Sequence, residues 1–555
     1  MIIMKKQPYL KFYDDPTKQM RMRIIGFLFA IMSLNLLFAA RAQDKIEVWG
    51  RYEVTFETKT SNNPFNVEVE ATFTNGDTSM TVQGFYDGDD VYRIRFMPIR
   101  TGRWSYVTKS KEKPLHNKRG SFYCTEATGQ NRGMVHVANT YQFRYSNGTH
   151  YYPFGTTAYA WTHMSDDMEN RTLASLKNAG FNKVRMCVFP KSYDLVKEIP
   201  PRYPFEIKRQ STNNKGNTNI EWDYSKFNPA FFQHLEKRIA QLDELGIEAD
   251  LILFHPYDKG RWGFDALPRD VDTRYLKYIM ARLSSYKNVW WSLANEWNYL
   301  KAKSVDDWMH IAQTVNANDP YNHLHSIHGA TATYFDYWRP EFSHVSIQDE
   351  TPVLSTGPAA MLRQIYGKPI ICDEVGYEGN LKFRWGRYSP QTMTRLVLNG
   401  VMAGIYVTHG DTYLYTDARD TVFWAKGGKF RGTSWKNIAF IRQVVEACPN
   451  PLQMADISRD FETSTAGKGY YFVYPDDSSS ERWSFNLPAK NATYEKLTPG
   501  TRFKVDIIDF ESMTITPLPE VFETGPERDY RLYDKDLKSV RMPGKPLIAL
   551  RVVEI

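Results

Sequence analysis

The chain has only four cysteines in 555 residues, Cys124, Cys187, Cys372 and Cys448. Their wide spacing forms neither a metal-ligand pattern nor a disulfide framework. Other signatures are missing too. No glycine-rich phosphate fingerprint follows an early strand, which disfavours a doubly wound nucleotide-binding sheet. No G-x-S-x-G elbow is present for a Ser-His-Asp hydrolase. No HExxH motif or EF-hand loop occurs, and His323, His325 and His328 have strand spacing rather than ligand spacing. Neither a metal nor a cofactor is therefore expected. Low-complexity tracts are absent, and no basic patch carries interleaved aromatics, so nucleic acid is not an expected partner.

The formal charge of +7 is concentrated at one end. Residues 1–42 hold seven Lys/Arg and two Asp/Glu, which leaves +2 for all the rest. Arg21 and Arg23 precede IIGFLFAIMSLNLLFAA, an apolar run of 17 residues, and Ala40-Arg41-Ala42 gives a small-x-small cleavage pattern. Residues 1–42 are expected to be a signal peptide. The mature protein would then start near Gln43 and be exported to the periplasm or beyond. A transmembrane anchor is the competing reading, but the run is short for a bilayer. No stable membrane insertion is expected after cleavage, and the oligomeric state is left open.

The mature chain divides into three regions by rhythm. Residues 43–128 read as short alternating strands broken by Asn75-Gly76 and Asp87-Gly88, an Ig-like β-sandwich. Residues 129–448 alternate short apolar runs with amphipathic segments, as repeated βα units do. Eight runs can be placed, at 152–157, 183–189, 248–254, 289–293, 325–328, 344–348, 369–373 and 403–408. In PAFFQHLEKRIAQLDELG, apolar Phe232, Leu235, Ile239, Leu242 and Leu245 recur at helical spacing, with Pro229 at the start and Gly246 past the end. The expected fold class is α/β, a (β/α)8 TIM barrel. Residues 449–555 return to strands and read as a second β-sandwich.

A barrel of this kind builds its active site at the C-terminal ends of its strands. The polar residues there are Arg185, His255, Asn295 with Glu296, His328, Gln348, Asp373 with Glu374, and His409 with Asp411. Strand alternation sets Ser292, Ala294 and Glu296 on one face, and Ile370, Cys372 and Glu374 on another, with Asp373 opposite. Both glutamates are expected to point inward. A facing carboxylate pair suits glycoside hydrolysis, one group protonating the leaving oxygen and the other attacking the anomeric carbon. Trp161, Trp262, Trp297, Trp385 and Trp424 follow predicted strands, and Trp385 and Trp424 are the favoured sugar-stacking pair. Glu378 is a reserve carboxylate better suited to ordering its loop.

Asn-Glu ending the fourth strand and Glu ending the seventh resembles glycoside hydrolase clan A, the retaining barrel glycosidases. That resemblance implies Glu296 as acid/base, Glu374 as nucleophile and Asn295 as a partner of the sugar 2-hydroxyl. Arg185 and His255 match further residues of the pattern. The segments DEVGYEGN, YVTHGDTYLY and FWAKGGKFRG are similar to bacterial proteins with an apiosidase-like barrel between two β domains. Apiosidase-type relatives can use Asp as the acid, which is a departure at the fourth strand. His328, His409 and Asp411 complete the expected substrate-binding set. The expected activity is hydrolysis of O-glycosidic bonds in a complex plant or host oligo- or polysaccharide by double displacement. The competing reading is a non-catalytic carbohydrate-binding protein on the same scaffold.

Overall fold

The computed structural model describes residues 45–60, 63–212, 218–354, 356–415, 422–456, 462–475, 481–490 and 495–555. The expected signal peptide at 1–42 lies outside the described residues. Among them, no helix is long and apolar enough to cross a membrane.

Eight parallel strands form the central sheet: β1 (Gly155–Thr157), β2 (Lys183–Cys187), β3 (Glu248–Phe254), β4 (Val289–Ala294), β5 (His325–Ser326), β6 (Val345–Ile347), β7 (Ile370–Cys372) and β8 (Tyr406–His409). Neighbours run β5-β4-β3-β2-β1-β8-β7-β6, and a parallel bridge from His328 to Ser346 joins the two ends into a ring. The expected runs coincide with these strands but overstate several. The eighth starts later than the expected 403, because the preceding helix runs to Ala403 and stops at Gly404 in the left-handed region, φ 69°.

The helices form for the reasons visible in sequence. Helix α1 (Asp166–Ala179) is capped by Ser165, whose side chain accepts from the Met168 N–H, and ends at left-handed Gly180. Helix α2 (Pro229–Glu244) starts on Asn228 and Pro229, and buries Phe231, Phe232, Leu235, Ile239 and Leu242 against the sheet. A small antiparallel sheet, residues 135–151, plugs the N-terminal end of the ring. There Phe143, Tyr145 and Tyr151 pack on Trp290 and Ile371.

The flanking regions are strand-rich and have their own cores. Seven strands between Lys45 and Thr125 enclose Phe73, Phe96, Trp104 and Phe122. Their contact with the ring is ionic as well as apolar. Arg282 pairs with Asp87 and Glu236, each at 2.6 Å, and Arg95 pairs with Glu236 at 2.7 Å. The C-terminal sheet encloses Trp483, Phe485, Phe503 and Phe522. Its other face, with Phe472 and Phe510, joins the helical layer of the ring.

Candidate active site

The interior of the ring carries fixed charge beneath its mouth. Lys183 Nζ pairs with Asp250 at 2.8 Å and Asp373 at 2.9 Å. Thr408 and Ser346 hydroxyls also donate to Asp373, at 2.8 and 2.5 Å. Arg185 reaches Ser292 at 3.2 Å, and its other terminal nitrogen donates to Asn295 Oδ1 at 2.9 Å. Burial opposes ionisation of Asp373, but Lys183 and Arg185 prevail and hold its carboxyl far below the usual range.

This network corrects the expected facing of β7. Ile371 and Asp373 point into the ring, whereas Ile370 and Cys372 pack toward the helices. Glu374 reaches the mouth because β7 ends at Cys372, so strand alternation no longer governs it. Glu296 is placed similarly. Strand β4 ends at Ala294, and Glu296 takes a left-handed conformation, φ 50° and ψ 54°, that turns it over the ring. A non-glycine residue held at positive φ is strained, and such positions gather at functional sites.

Both glutamates are buried, at 5% exposure for Glu296 and 7% for Glu374. The Tyr159 hydroxyl donates to Glu374 Oε1 and also lies 3.4 Å from Asn295 Oδ1. His328 Nε2 stands 3.8 Å from Glu374 Oε1 and makes no hydrogen bond, while its Nδ1 meets Ser346 Oγ at 3.2 Å. Glu296 Oε2 and Gln348 Oε1 are likewise buried without partners. Buried polar atoms without partners are rare in protein interiors and are positions where a polar ligand could bond.

The two carboxyls differ electrostatically. Burial, then the Glu374 charge, pushes Glu296 up to about 8. Burial raises Glu374 too, but the Tyr159 hydrogen bond and the Arg185 and Lys191 charges oppose it. A proton shared by the pair therefore rests on Glu296 at neutral pH, since Glu374 has the donor that stabilises a carboxylate.

The remaining expected residues divide into two groups. Trp424 packs edge-on to Tyr159 at 5.2 Å and beside Trp385 at 5.4 Å, so the tryptophan pair adjoins the glutamates. Trp385 is 38% exposed and offers a ring face. Three others have structural partners. His255 Nε2 donates to the Phe189 carbonyl at 3.0 Å, and Nδ1 accepts from the Tyr257 N–H. His409 faces away from the mouth: it stacks on Phe181 at 4.9 Å and bonds Thr156 Oγ1 at 3.0 Å. Asp411 spends both oxygens on the N–H groups of Tyr413, Arg431 and Gly432. His255 and Asp411 thus bond backbone groups, whereas His409 meets a hydroxyl and keeps its Nε2 buried without a partner.

Glu378 anchors its loop as expected, accepting from Thr433 and Ser434 at the start of a helix. Trp161 is fully buried, and Trp262 lies within the loop core. Tyr159, Lys191 and Tyr377 border the glutamates although sequence did not single them out, and Gln348 stands beside Glu296 at the strand end where it was expected. The first two follow β1 and β2 in loops, and that position was their available signal. Among the described residues one further group, Asp166, Glu169 and His234, has metal-ligand spacing. Arg238 already neutralises it, with Nε 2.5 Å from Glu169 and Nη2 3.6 Å from Asp166.

A buried carboxyl pair over a ring of eight parallel strands defines a glycosidase-type site. Comparison with known proteins supports that class. The apiosidase-like catalytic domain matches residues 137–448, while 45–111 and 460–553 match two domains of unknown function, DUF5060 and DUF5605. The chain belongs to the apiosidase-like family and is a glycoside hydrolase. A crystal structure from Bacteroides vulgatus ATCC 8482, provisionally described as a glycoside hydrolase, is 58% identical over 92% of this chain and 100% of its own, with TM-score 0.90. A family 5 glycoside hydrolase from the same strain is 14% identical over 77% of this chain and 94% of its own, with TM-score 0.55, and shares the fold. No curated protein matches the chain.

Proposed function

We propose that this is an exported, retaining glycoside hydrolase that cleaves O-glycosidic bonds of a complex plant or host glycan. The observation that carries the reading is the unequal environment of the two glutamates. Tyr159 donates to Glu374, and burial beside Glu374 raises Glu296 to about 8.

In the first step a Glu374 oxygen bonds to the anomeric carbon as the glycosidic C–O bond breaks. Glu296 gives its proton to the departing oxygen. In the second step Glu296 takes a proton from water, the water oxygen bonds to the anomeric carbon, and the Glu374 ester bond breaks. The acid needs a raised pKa to hold its proton at neutral pH, and the nucleophile needs charge-stabilising neighbours. Arg185 fixes Asn295 beside the pair, where its amide can meet a sugar hydroxyl. Trp385 and Trp424 supply apolar ring faces for a sugar.

The test is a screen of plant and host glycans with wild type and E374Q, followed by NMR of the first-formed product anomer. Cleavage with retained configuration, absent in folded E374Q, is expected. Inversion contradicts the mechanism, and binding without cleavage would favour a carbohydrate-binding protein. Export predicts a mature secreted chain whose N-terminal sequence begins near Gln43.

A further inference from the structure

Lys191 helps to hold Glu374 ionised, but its ammonium donates to no group of the double-displacement machinery. It lies just beyond β2 and is 2% exposed. Its ammonium sits 3.8 Å from the Tyr159 ring centroid, 4.2 Å from Tyr257, 4.9 Å from Tyr193 and 5.5 Å from Trp424. Among the described residues it makes no hydrogen bond and no ion pair within 4.0 Å.

Other buried cations in this chain have carboxylate partners. Lys183 pairs with Asp250 and Asp373, Lys303 with Asp272, and Arg282 with Asp87 and Glu236. The aromatic faces around Lys191 attract its charge but give its three N–H donors no directional acceptor. A buried ammonium left in that state needs acceptors from outside the chain.

Its position shows where they would come from. Tyr159, which forms one wall of the cage, donates to Glu374, and Trp424 forms another wall beside Trp385. Burial lowers the pKa of Lys191, and the neighbouring charges of Cys187, Glu374 and Glu296 oppose that. The Tyr193 hydroxyl, in the same cage, is also buried without a partner. A neutral sugar would give the Lys191 ammonium no charged acceptor. An anionic sugar would be repelled by Glu374 unless a cation stood in the wall.

We propose that Lys191 is a specificity-determining residue that binds an anionic substituent, a carboxylate or a sulfate ester, on the sugar held at Glu296 and Glu374. The proposal rests on the glycosidase reading of that site. An anion supplies both charge and several acceptor oxygens, whereas a hydroxyl supplies one neutral acceptor. Charge-assisted bonds exceed neutral ones by enough to give about a tenfold preference or more.

Calorimetry on folded E374Q tests it with uronic-acid oligosaccharides and sulfated oligosaccharides, each beside its carboxyl-reduced or desulfated counterpart. The expected result is binding of one anionic class about tenfold or more tighter than its neutral counterpart. The class that shows it identifies the source of the anion. K191M in the same background should erase the preference, and K191R should retain part of it. Equal binding, failure of both anionic classes to bind, or a preference unchanged in K191M overturns the proposal. If K191M does not fold by thermal melting, the preference of E374Q itself decides. Hydrolysis by wild type is read separately. Cleavage and binding of neutral glycans alone removes the role of Lys191 and leaves the glycosidase. Anion-selective binding without any cleavage removes the glycosidase and leaves the anion site.

Discussion

The hydroxyl of Tyr159, two residues beyond β1, donates to Oε1 of Glu374, the second residue past β7. One hydrogen bond thus ties the two loops that meet at the mouth of the ring. It favours the ionised form of Glu374, as a nucleophile requires. Y159F is expected to lower kcat/KM about tenfold to a hundredfold, the range for a hydrogen bond to a charged group. The acid limb of the kcat/KM profile should also move to higher pH, because the lost bond had favoured the carboxylate. Fluorescence-detected melting distinguishes this from simple unfolding.

The pair predicts a bell-shaped kcat/KM profile. Activity should rise as Glu374 ionises above the ordinary 4.5 of a glutamate, and fall near 8 as Glu296 loses its proton. The two limbs belong to the pair as a unit. With a substrate whose leaving group needs no protonation, E296Q should keep residual activity and lose the alkaline limb. Initial rates between pH 4 and 10 check this.

Asp373 is expected to matter for folding rather than for bond cleavage. It neutralises Lys183 and Arg185 beneath the site. D373N leaves two buried cations with Asp250 alone and should cost about 3–5 kcal/mol. Because its folded pKa lies below the unfolded value of about 3.9, this stability is present above that pH and is lost as pH falls below it. Denaturant titration of wild type and D373N should therefore show a gap at pH 7 that narrows in acid.

His409 should be dispensable for turnover. Burial lowers it to about 3, so it is neutral in the folded protein, whereas the unfolded chain takes up a proton below about 6.5. Stability from this residue is present above about 6.5 and lost as pH falls toward 3. H409F, stacked on Phe181, should change kcat/KM by less than about threefold and weaken that decline. A large loss of activity with unchanged stability would restore His409 as a sugar contact.

Much of the scaffold was legible because its signals are local. Ser165 and Gly180 bound α1, and Asn228 with Pro229 starts α2, each through a contact within one turn. The position of the two glutamates at strand ends is legible in the sequence, but strand alternation alone does not set their direction. Alternation runs on through Asp373, which points inward with Ile371 and so one residue out of the expected phase, and lapses only at Glu374, which comes to the mouth by way of the loop. Glu296 depends on a left-handed backbone that sequence alone did not indicate. His409 does end β8, but it pairs with Thr156 and turns toward Phe181, a direction that a strand-end position does not reveal. Tyr159 and Lys191 were missed because their roles arise from contacts between loops far apart in the chain.

Covalent trapping tests the central claim most directly. A 2-deoxy-2-fluoro glycoside of the sugar that the enzyme releases slows breakdown of a glycosyl-enzyme, and peptide mass spectrometry then locates the sugar. The account predicts one sugar esterified to Glu374, with none on E374Q. Attachment to another residue, or turnover with inversion and no adduct, would contradict it.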